Sequence, residues 1–593
     1  MGEYNAPIKD MSFVIRELAG LDRILQMPDF DSITEDDVGQ ILEESARFSR
    51  EVLSPLNMPG DQEGCRVENR SVVVPDAFAD AYRQFVEGGW QSLPCSPQHG
   101  GMGLPETVSA ATMEMLQSAN LSFSLCPLLT SGAIAAIEAH ASEELKQTYL
   151  PKMVSGEWTG TMNLSEPQAG SDLAAVKTKA VPDGDHYKIS GTKIFITWGD
   201  QEFSENVIHL VLARLPDAPA GVRGISLFLV PKYLVDKDGG VGDRNDAYCT
   251  SVEHKLGIHA SPTCVMTYGD GDGATGYIVG EENRGLAGMF TMMNNARLNV
   301  GIQGLAISER AYQLAKDFAQ QRIQGDAPGQ KERVTIIHHP DVRRMLLVMK
   351  SLIEGMRALA YATAAVVDTI HHSADPEEQT AAGTRAALLT PIVKGWMTEV
   401  AQELTSLGVQ IHGGMGFVEE TGAAQHMRDA RILPIYEGTT GIQAIDLVGR
   451  KILGDEGKAM KAWIEEMRSL DGELAAVDDL APIRQSLSTG IEDLIAAVTW
   501  LLSNALGDQN APGAASVNLL MLAGTVAGGW QMALAALAAK QKLADGDPDS
   551  AFLEAKVMTA FFYAAHILPR SSSYRQAAVS GSEVIMAMPE ESY

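Results

Sequence analysis

The sequence predicts an α+β fold of four consecutive regions. These are an N-terminal helical domain over 1–158, a β-barrel or sandwich over 159–283, a four-helix-bundle domain over 284–454, and an additional helical domain and tail over 455–593. Three observations predict it. A chain of 593 residues exceeds what one hydrophobic core supports. Apolar spacing changes from every third or fourth residue to alternation after Trp158, and reverts near Gly285. A hydrophobic content of 45% with 21% charged residues belongs to a globular chain.

The elements follow in order. DSITEDDVGQILEESARFSREVL opens with capping residues and an acidic first turn, and the pattern from Phe13 to Tyr149 stays helical. HYKISGTKIFITWG, VIHLVLARL, GISLFLVPKYLV and CTSVEHKLGIHASPTCVMTYGD read as strands separated by turns such as PDGD. Long helical patterns return in ARLNVGIQGLAISERAYQLAKDFAQQR, HPDVRRMLLVMKSLIEGMRALAYATAAVVDTIHH and AALLTPIVKGWMTEVAQELTSLGVQ, with Gly325–His339 as a looser loop. After Gly454 the chain is alanine-rich and helical to about His566, and the tail from Pro569 has weak periodicity and reads as extended.

Leu519–Ala539 is long enough to cross a bilayer. Thr525, Gly528-Gly529 and Gln531 interrupt it and no basic flank precedes it, so it reads as a helix buried among helices, without stable membrane insertion. The N-terminus carries acids where a secretory signal needs a basic flank. Five scattered cysteines, none spaced as CxxC, suit a reducing cytoplasm and neither a disulfide framework nor a zinc site. Histidines at 338–339, 371–372 and 412 lack ligands at metal spacing. The net charge of −30 argues against a nucleic-acid partner.

Several short stretches could carry chemistry. LSEPQAGSD (164–172) offers hydroxyls and backbone N–H groups near a turn; on composition alone it is an ordinary turn. KIFITWG (193–199) ends a strand with aromatics that serve a core or a planar ligand. Arg322 in QRIQG stands at a helix end, suited to the dipole or to a phosphate. Arg297 lies in the helical segment that begins at Asn294, and alone reads as a solvated face residue. HGGMGF at His412 repeats HGGMGL at His99 without the strand–turn–helix context of a dinucleotide site. In ILPIYEGTTGIQ (432–443) a lone Glu437 follows an apolar run and precedes a glycine.

In this order, LSEPQAGSD, KIFITWG, QRIQG, QIHGGMGF and MRDARILPIYEGTTGIQ resemble the acyl-CoA dehydrogenase family from about Ser12 to Leu453. The resemblance implies FAD between the β domain and the bundle, an acyl-CoA substrate, and Glu437 as catalytic base. Glu437 takes the α-proton while flavin N5 takes hydride from the β-carbon, leaving a trans-2-enoyl-CoA. A weakly acidic α-proton needs a close, desolvated base, which the apolar run suits, and Gly438 lets the backbone approach the substrate. The same resemblance implies that Met162, Leu164, Ser165, Phe195 and Thr197 line the flavin and that Ser171 lies near its pyrophosphate and CoA. Thr439 contacts FAD, and Asn294 and Arg297 face CoA. Arg322, Gln410, Gly413 and Gly414 serve the FAD of a neighbouring subunit, hence a homodimer. Electron-transfer flavoprotein is the implied electron acceptor and the bacterial cytoplasm the implied location.

Three positions depart from the family pattern: Trp198 replaces Asn or Ser, Asn294 replaces Asp, and Gly441 replaces a residue that helps hold the adenine. The section after Gly454 marks a long form. With YNAPIKDMSFVIREL it resembles the branch that converts 3-methylmercaptopropionyl-CoA to methylthioacryloyl-CoA in dimethylsulfoniopropionate breakdown. The rival expectations are a short- or medium-chain dehydrogenase of fatty-acid oxidation, an acyl-CoA oxidase, a non-catalytic flavin-bearing relative of the DNA-alkylation response, and a scaffold without turnover.

Overall fold

The alternating segments after Trp158 become the eight strands of one sheet. They are β1 (Trp158–Asn163), β2 (Lys179–Asp183), β3 (His186–Thr197), β4 (Asn206–Ala213), β5 (Ser226–Pro231), β6 (Ala247–Val252), β7 (Thr263–Tyr268) and β8 (Ala274–Ile278). A computed structural model describes residues 3–236, 239–329 and 331–593 of the chain. It divides into two units: Arg47–Pro105 with Met115–Asn299, and Met1–Ala46 with Glu106–Glu114 and Val300–Tyr593.

In the first of these the strand order is β6-β7-β3-β8-β5-β4-β1, with β2 on β3. All pairs are antiparallel except β1 with β4. The long β3 lies between β2 and β8 in its first half and pairs with β7 in its second. The change of partner falls at Gly191, where φ is 153° and a Cβ would stand 2.5 Å from Thr178 Oγ1. Only glycine fits such a crossing. Ile189, Ile196, Val211, Phe228, Cys264 and Tyr268 fill the sheet's core, with the thiols acting as small hydrophobes. The helix Leu121–His140 lies against β1, and the Thr130 hydroxyl accepts from the Gly160 N–H at 3.0 Å.

The helical reading from Phe13 to Tyr149 missed a hairpin, Arg66–Glu68 with Ser71–Val73. Its turn residues Asn69 and Arg70 both have positive φ, 51° and 63°, the backbone of a tight hairpin turn. Arg70 stands where glycine usually signals such a turn.

The second unit is helical. We label α1 (Gly285–Gln321, within this unit from Val300), α2 (Pro340–His372), α3 (Pro376–His412), α4 (Ala423–Ala430), α5 (Thr440–Ile445), α6 (Ala511–Ala544) and α7 (Ser550–Phe562). Between α1 and α2, the polar stretch expected as a loop contains a short hairpin, Ile323–Asp326 with Arg333–Thr335. The helices α1 and α3 approach backbone to backbone: a Cβ on Gly304 would stand 2.7 Å from the Met397 carbonyl oxygen. On α6, Gly524 and Gly528 make room for the buried Trp396 ring of α3. This explains the small-residue composition of Leu519–Ala539. Among the described residues three helices, Leu121–His140, Ala511–Ala544 and Ser550–Ala578, have the length and composition to cross a membrane. The first two have 83% and 89% of their apolar stretch buried within the protein.

A buried charge network ties the two ends of the chain to the bundle. Arg357 on α2 donates to Glu114 and Asp10 at 2.6 Å and to Glu309 at 2.8 Å, and Tyr361 donates to Glu114 at 2.6 Å. Lys556 on α7 donates to Glu354 at 2.8 Å and also to Asp10. The tail is not extended but helical over Arg570–Ala578. Polar contacts hold it where apolar periodicity is lacking: Arg575, Ser571 and Ser572 converge on Asp493 at 2.6–2.8 Å, and Arg570 pairs with Glu403 at 2.7 Å.

Candidate active site

In the sheet unit the candidate residues gather at the ends of β1 and β3. Met162 is buried in β1, an edge strand, and Leu164 and Ser165 begin the loop beyond it. That loop is built around one buried carboxylate. Glu166 accepts from Lys193 Nζ at 2.8 Å, the Lys177 and Thr178 N–H groups at 2.8 and 3.0 Å, and the Thr178 hydroxyl at 2.6 Å. Lys193, fully buried in β3, also donates to the Leu164 carbonyl at 3.0 Å, and the Ile194 N–H donates to the Ser165 carbonyl at 2.9 Å. Burial alone would raise the Glu166 pKa; the Lys193 charge and these hydrogen bonds overcome it and bring the group down to about 2. Burial pulls Lys193 down to about 8 against the attraction of Glu166.

Phe195 has a left-handed φ of 59° and is 61% exposed, an apolar ring that the chain leaves uncovered. Ser165 and Thr197 are half-buried and Ser171 is exposed, so all three hydroxyls are accessible. Trp198, also at positive φ, belongs to the core: its indole is 1% exposed, donates to the Ser122 carbonyl at 3.1 Å and stacks near Phe78. It has no face left for a cofactor. Asn294 is exposed on α1, whereas Arg297 one turn on is buried, not the solvated face residue that its helical segment alone suggested.

In the helical unit Glu437 is half-buried at φ 55°, followed by Gly438 at φ 90°. Buried Leu433 and Pro434 precede it, and the Tyr436 hydroxyl donates to Gln303 on α1. Burial and the neighbouring Glu437 charge hold that phenol well above its ordinary pKa. Lys394 of α3, fully buried, donates to the Leu433 carbonyl at 2.9 Å and the Gly438 carbonyl at 2.7 Å. Gln443 Nε2 donates to the Glu437 and Gly438 carbonyls at 3.1 and 3.3 Å. Thr439 caps α5 by accepting the Ile442 N–H at 3.3 Å, and Thr440 donates to Glu399 at 2.6 Å.

Arg322, Gln410, Gly413 and Gly414 form a third group, all exposed, at the ends of α1 and α3. The rings of Phe318 and His412 meet there at 4.5 Å. Phe417, just beyond, is 88% exposed.

The uncovered Phe195 ring at the end of β3, with the accessible hydroxyls of Ser165 and Thr197 beside it, suits a planar heteroaromatic group with a polar rim. A flavin has that character. Sequence reasoning missed Lys193, Lys394, Gln303 and Gln443 as supports of these loops. Lys394 carried a faint signal, a lone cation in the apolar run TPIVKGWM. No cluster among the described residues has the make-up of a metal site.

Comparison with known proteins supplies the remaining observations. Family models of the acyl-CoA dehydrogenase N-terminal, middle and C-terminal domains match residues 36–157, 161–270 and 283–453. A model described as acetyl-CoA dehydrogenase C-terminal like matches 458–589. The chain is 52% identical to the 3-methylmercaptopropionyl-CoA dehydrogenase of Ruegeria pomeroyi, over 96% of this chain and 97% of that protein. It is 35% identical to a butyryl-CoA dehydrogenase of Syntrophomonas wolfei over 100% and 99% of the two chains. The crystal structure of Caenorhabditis elegans ACDH-11 in complex with C11-CoA shares the fold, with a TM-score of 0.79 at 20% identity over 99% of this chain and 96% of that one.

Proposed function

The chain belongs to the acyl-CoA dehydrogenase family, and from that membership we propose that it converts 3-methylmercaptopropionyl-CoA to methylthioacryloyl-CoA. Its cofactor is FAD. The observation that carries the reading is the Glu437 turn: a carboxylate at left-handed φ behind the buried Leu433 and Pro434, its flanking carbonyls held by buried donors. The end-to-end likeness to the Ruegeria enzyme supports the substrate.

Glu437 takes a proton from the α-carbon, and its carboxyl group holds that proton until the product leaves. The Glu437 N–H is the group offered to the thioester oxygen, a donor worth about 3 kcal/mol at a developing enolate. Bound FAD supplies the acceptor for the hydride that leaves the β-carbon, so the two hydrogens and the electron pair are accounted for. Met162, Leu164, Ser165, Phe195 and Thr197 are the residues to hold its ring, with Thr439 beside it and Ser171 toward the pyrophosphate. Asn294, Arg297 and Gly438 are assigned to the acyl-CoA. The left-handed backbone at Phe195 presents an uncovered ring, consistent with this use.

Arg322, Gln410, Gly413 and Gly414 are assigned to the FAD of a second copy. The exposed apolar side chains beside them, Met415, Phe417 and Val418, support a homodimer through that face. A cytoplasmic location, electron-transfer flavoprotein as oxidant and the absence of stable membrane insertion complete the reading. The four-region division at 158, 283 and 454 draws support from the segments that the four family models match.

The test is the anaerobic absorbance of the flavin during titration with 3-methylmercaptopropionyl-CoA, butyryl-CoA and octanoyl-CoA in parallel. Bleaching by the first at the lowest concentration is the expected result. Equal or better bleaching by butyryl-CoA overturns the substrate, and a flavin that none of them bleaches overturns the activity.

A further inference from the structure

Lys394 is a cation where none is expected, on an α3 face whose neighbours Ile392, Val393, Trp396 and Met397 are all buried. Removing an ammonium from water is costly, and the cost is recovered only through hydrogen bonds to oxygen. Here the acceptors are the carbonyls of Leu433 and Gly438. These two groups bracket Pro434–Glu437, so one ammonium ties together both ends of the turn that carries the base. Inside it Glu437 holds φ at 55°, a conformation that a residue with a Cβ adopts only when its surroundings impose it. Gln443 adds a second hold on the Glu437 and Gly438 carbonyls.

We infer that Lys394 is the positioning residue for α-proton abstraction, fixing the Glu437 carboxylate and its N–H by clamping the Leu433 and Gly438 carbonyls. The inference rests on Glu437 acting as the base. Its hold on the turn runs through the peptide groups of Leu433 and Gly438. Without the clamp the turn relaxes toward negative φ, which swings the carboxylate and the N–H together. A displacement of about 1 Å at a reacting group costs roughly a hundredfold in rate.

The experiment is single-turnover flavin reduction per bound FAD in Lys394→Met, Lys394→Gln, Gln443→Leu and Glu437→Gln, with normal and α-deuterated 3-methylmercaptopropionyl-CoA. Lys394→Met is expected to slow reduction about a hundredfold, with an enlarged α-deuterium effect and thioester affinity within about twofold of wild type. Lys394→Gln keeps one donor and recovers part of the rate, and Gln443→Leu loses less than Lys394→Met. If Lys394→Met does not fold, Lys394→Gln carries the test through its isotope effect. A purely structural lysine gives lower FAD content but an unchanged rate and isotope effect per FAD, and that result overturns the inference. Slow reduction by Glu437→Gln alongside wild-type rates in the Lys394 variants defeats this inference alone. A wild-type rate in Glu437→Gln removes the base assignment, and the inference with it.

Discussion

Lys193 and Glu166 form a buried ion pair, Nζ to Oε1 at 2.8 Å, inside the loop that follows β1. The lysine comes from a regular strand and the carboxylate from an irregular loop, whose Leu164 carbonyl it also holds. Lys394 relates to the Glu437 turn in the same way. In both places a rigid element lends a buried ammonium to carbonyls that a loop cannot satisfy by itself.

Removing one member of such a pair leaves the other charged and unpaired out of water, at a cost of about 3–5 kcal/mol. Lys193→Met is therefore expected to lower the melting temperature and, by loosening Leu164 and Ser165, to raise the ratio of protein to flavin absorbance in the purified protein. Thermal unfolding with the two absorbances checks both. A variant that melts with wild type and keeps its flavin contradicts the assigned role of the loop.

The same pair makes a pH prediction. The folded Glu166 pKa, about 2, lies below that of an unfolded glutamate, about 4.3. Its stabilising contribution is thus complete above the unfolded value and is lost as pH falls from there toward 2. Glu166→Gln lacks that term. Urea midpoints measured at pH 6, 4 and 3, followed by tryptophan fluorescence, should show wild type well above the variant at pH 6 and the gap narrowing at each step down. A constant gap would count against an ionised Glu166.

Parts of this arrangement were legible in the sequence and parts were not. The sheet was visible because alternation begins at Trp158 and ends before Gly285, and the segment 432–443 stood out because its residues form a specific run. The supports of the site were not. Lys193 reaches Glu166 across 27 residues, and Lys394 reaches Gly438 across 44, distances at which spacing carries no information. The hairpin at Asn69-Arg70 was hidden because both turn residues take positive φ without a glycine. The tail helix was hidden because Asp493, nearly eighty residues upstream of Ser571, supplies the contacts that hold it.

Arg357 gives a prediction about the long form itself. It pairs with Asp10, Glu114 and Glu309 at a point where the N-terminal segment, α1 and α2 converge, and Asp10 in turn meets Lys556 of the C-terminal section. Burial raises the Glu114 pKa, and the charge and hydrogen bonds of Arg357 pull against that rise. Arg357→Met should cost about 3–5 kcal/mol. The double variant Arg357→Met/Glu114→Met should recover part of it, because removing both partners of a buried pair costs less than removing one. Chemical denaturation of wild type, Arg357→Met, Glu114→Met and the double variant measures this, and strict additivity of the two substitutions would refute the coupling.

Phe417 tests the assembly. An aromatic ring left 88% exposed, beside exposed Met415 and Val418, is the kind of patch that a soluble protein covers with a partner. Phe417→Asp is expected to shift sedimentation velocity from dimer to monomer. Because Gly413 and Gly414 are assigned to the partner's FAD, flavin content should fall with it. A dimer that survives the substitution places the interface elsewhere.

The last prediction concerns the base. Glu437→Gln keeps the size of the side chain and the holds of Lys394 and Gln443 on the backbone of the turn, but a carboxamide cannot take the α-proton. Loss of a positioned general base costs about a hundredfold to ten-thousandfold. Flavin reduction by 3-methylmercaptopropionyl-CoA should slow by at least about a hundredfold, while FAD content and thioester binding stay near wild type. Glu437→Asp separates two explanations of that loss. If the carboxylate acts as a base it must reach the α-carbon, and one missing methylene leaves Asp intermediate between wild type and Gln, with an enlarged α-deuterium effect. If the negative charge only shapes the local field, Asp restores nearly the whole rate and the isotope effect does not change.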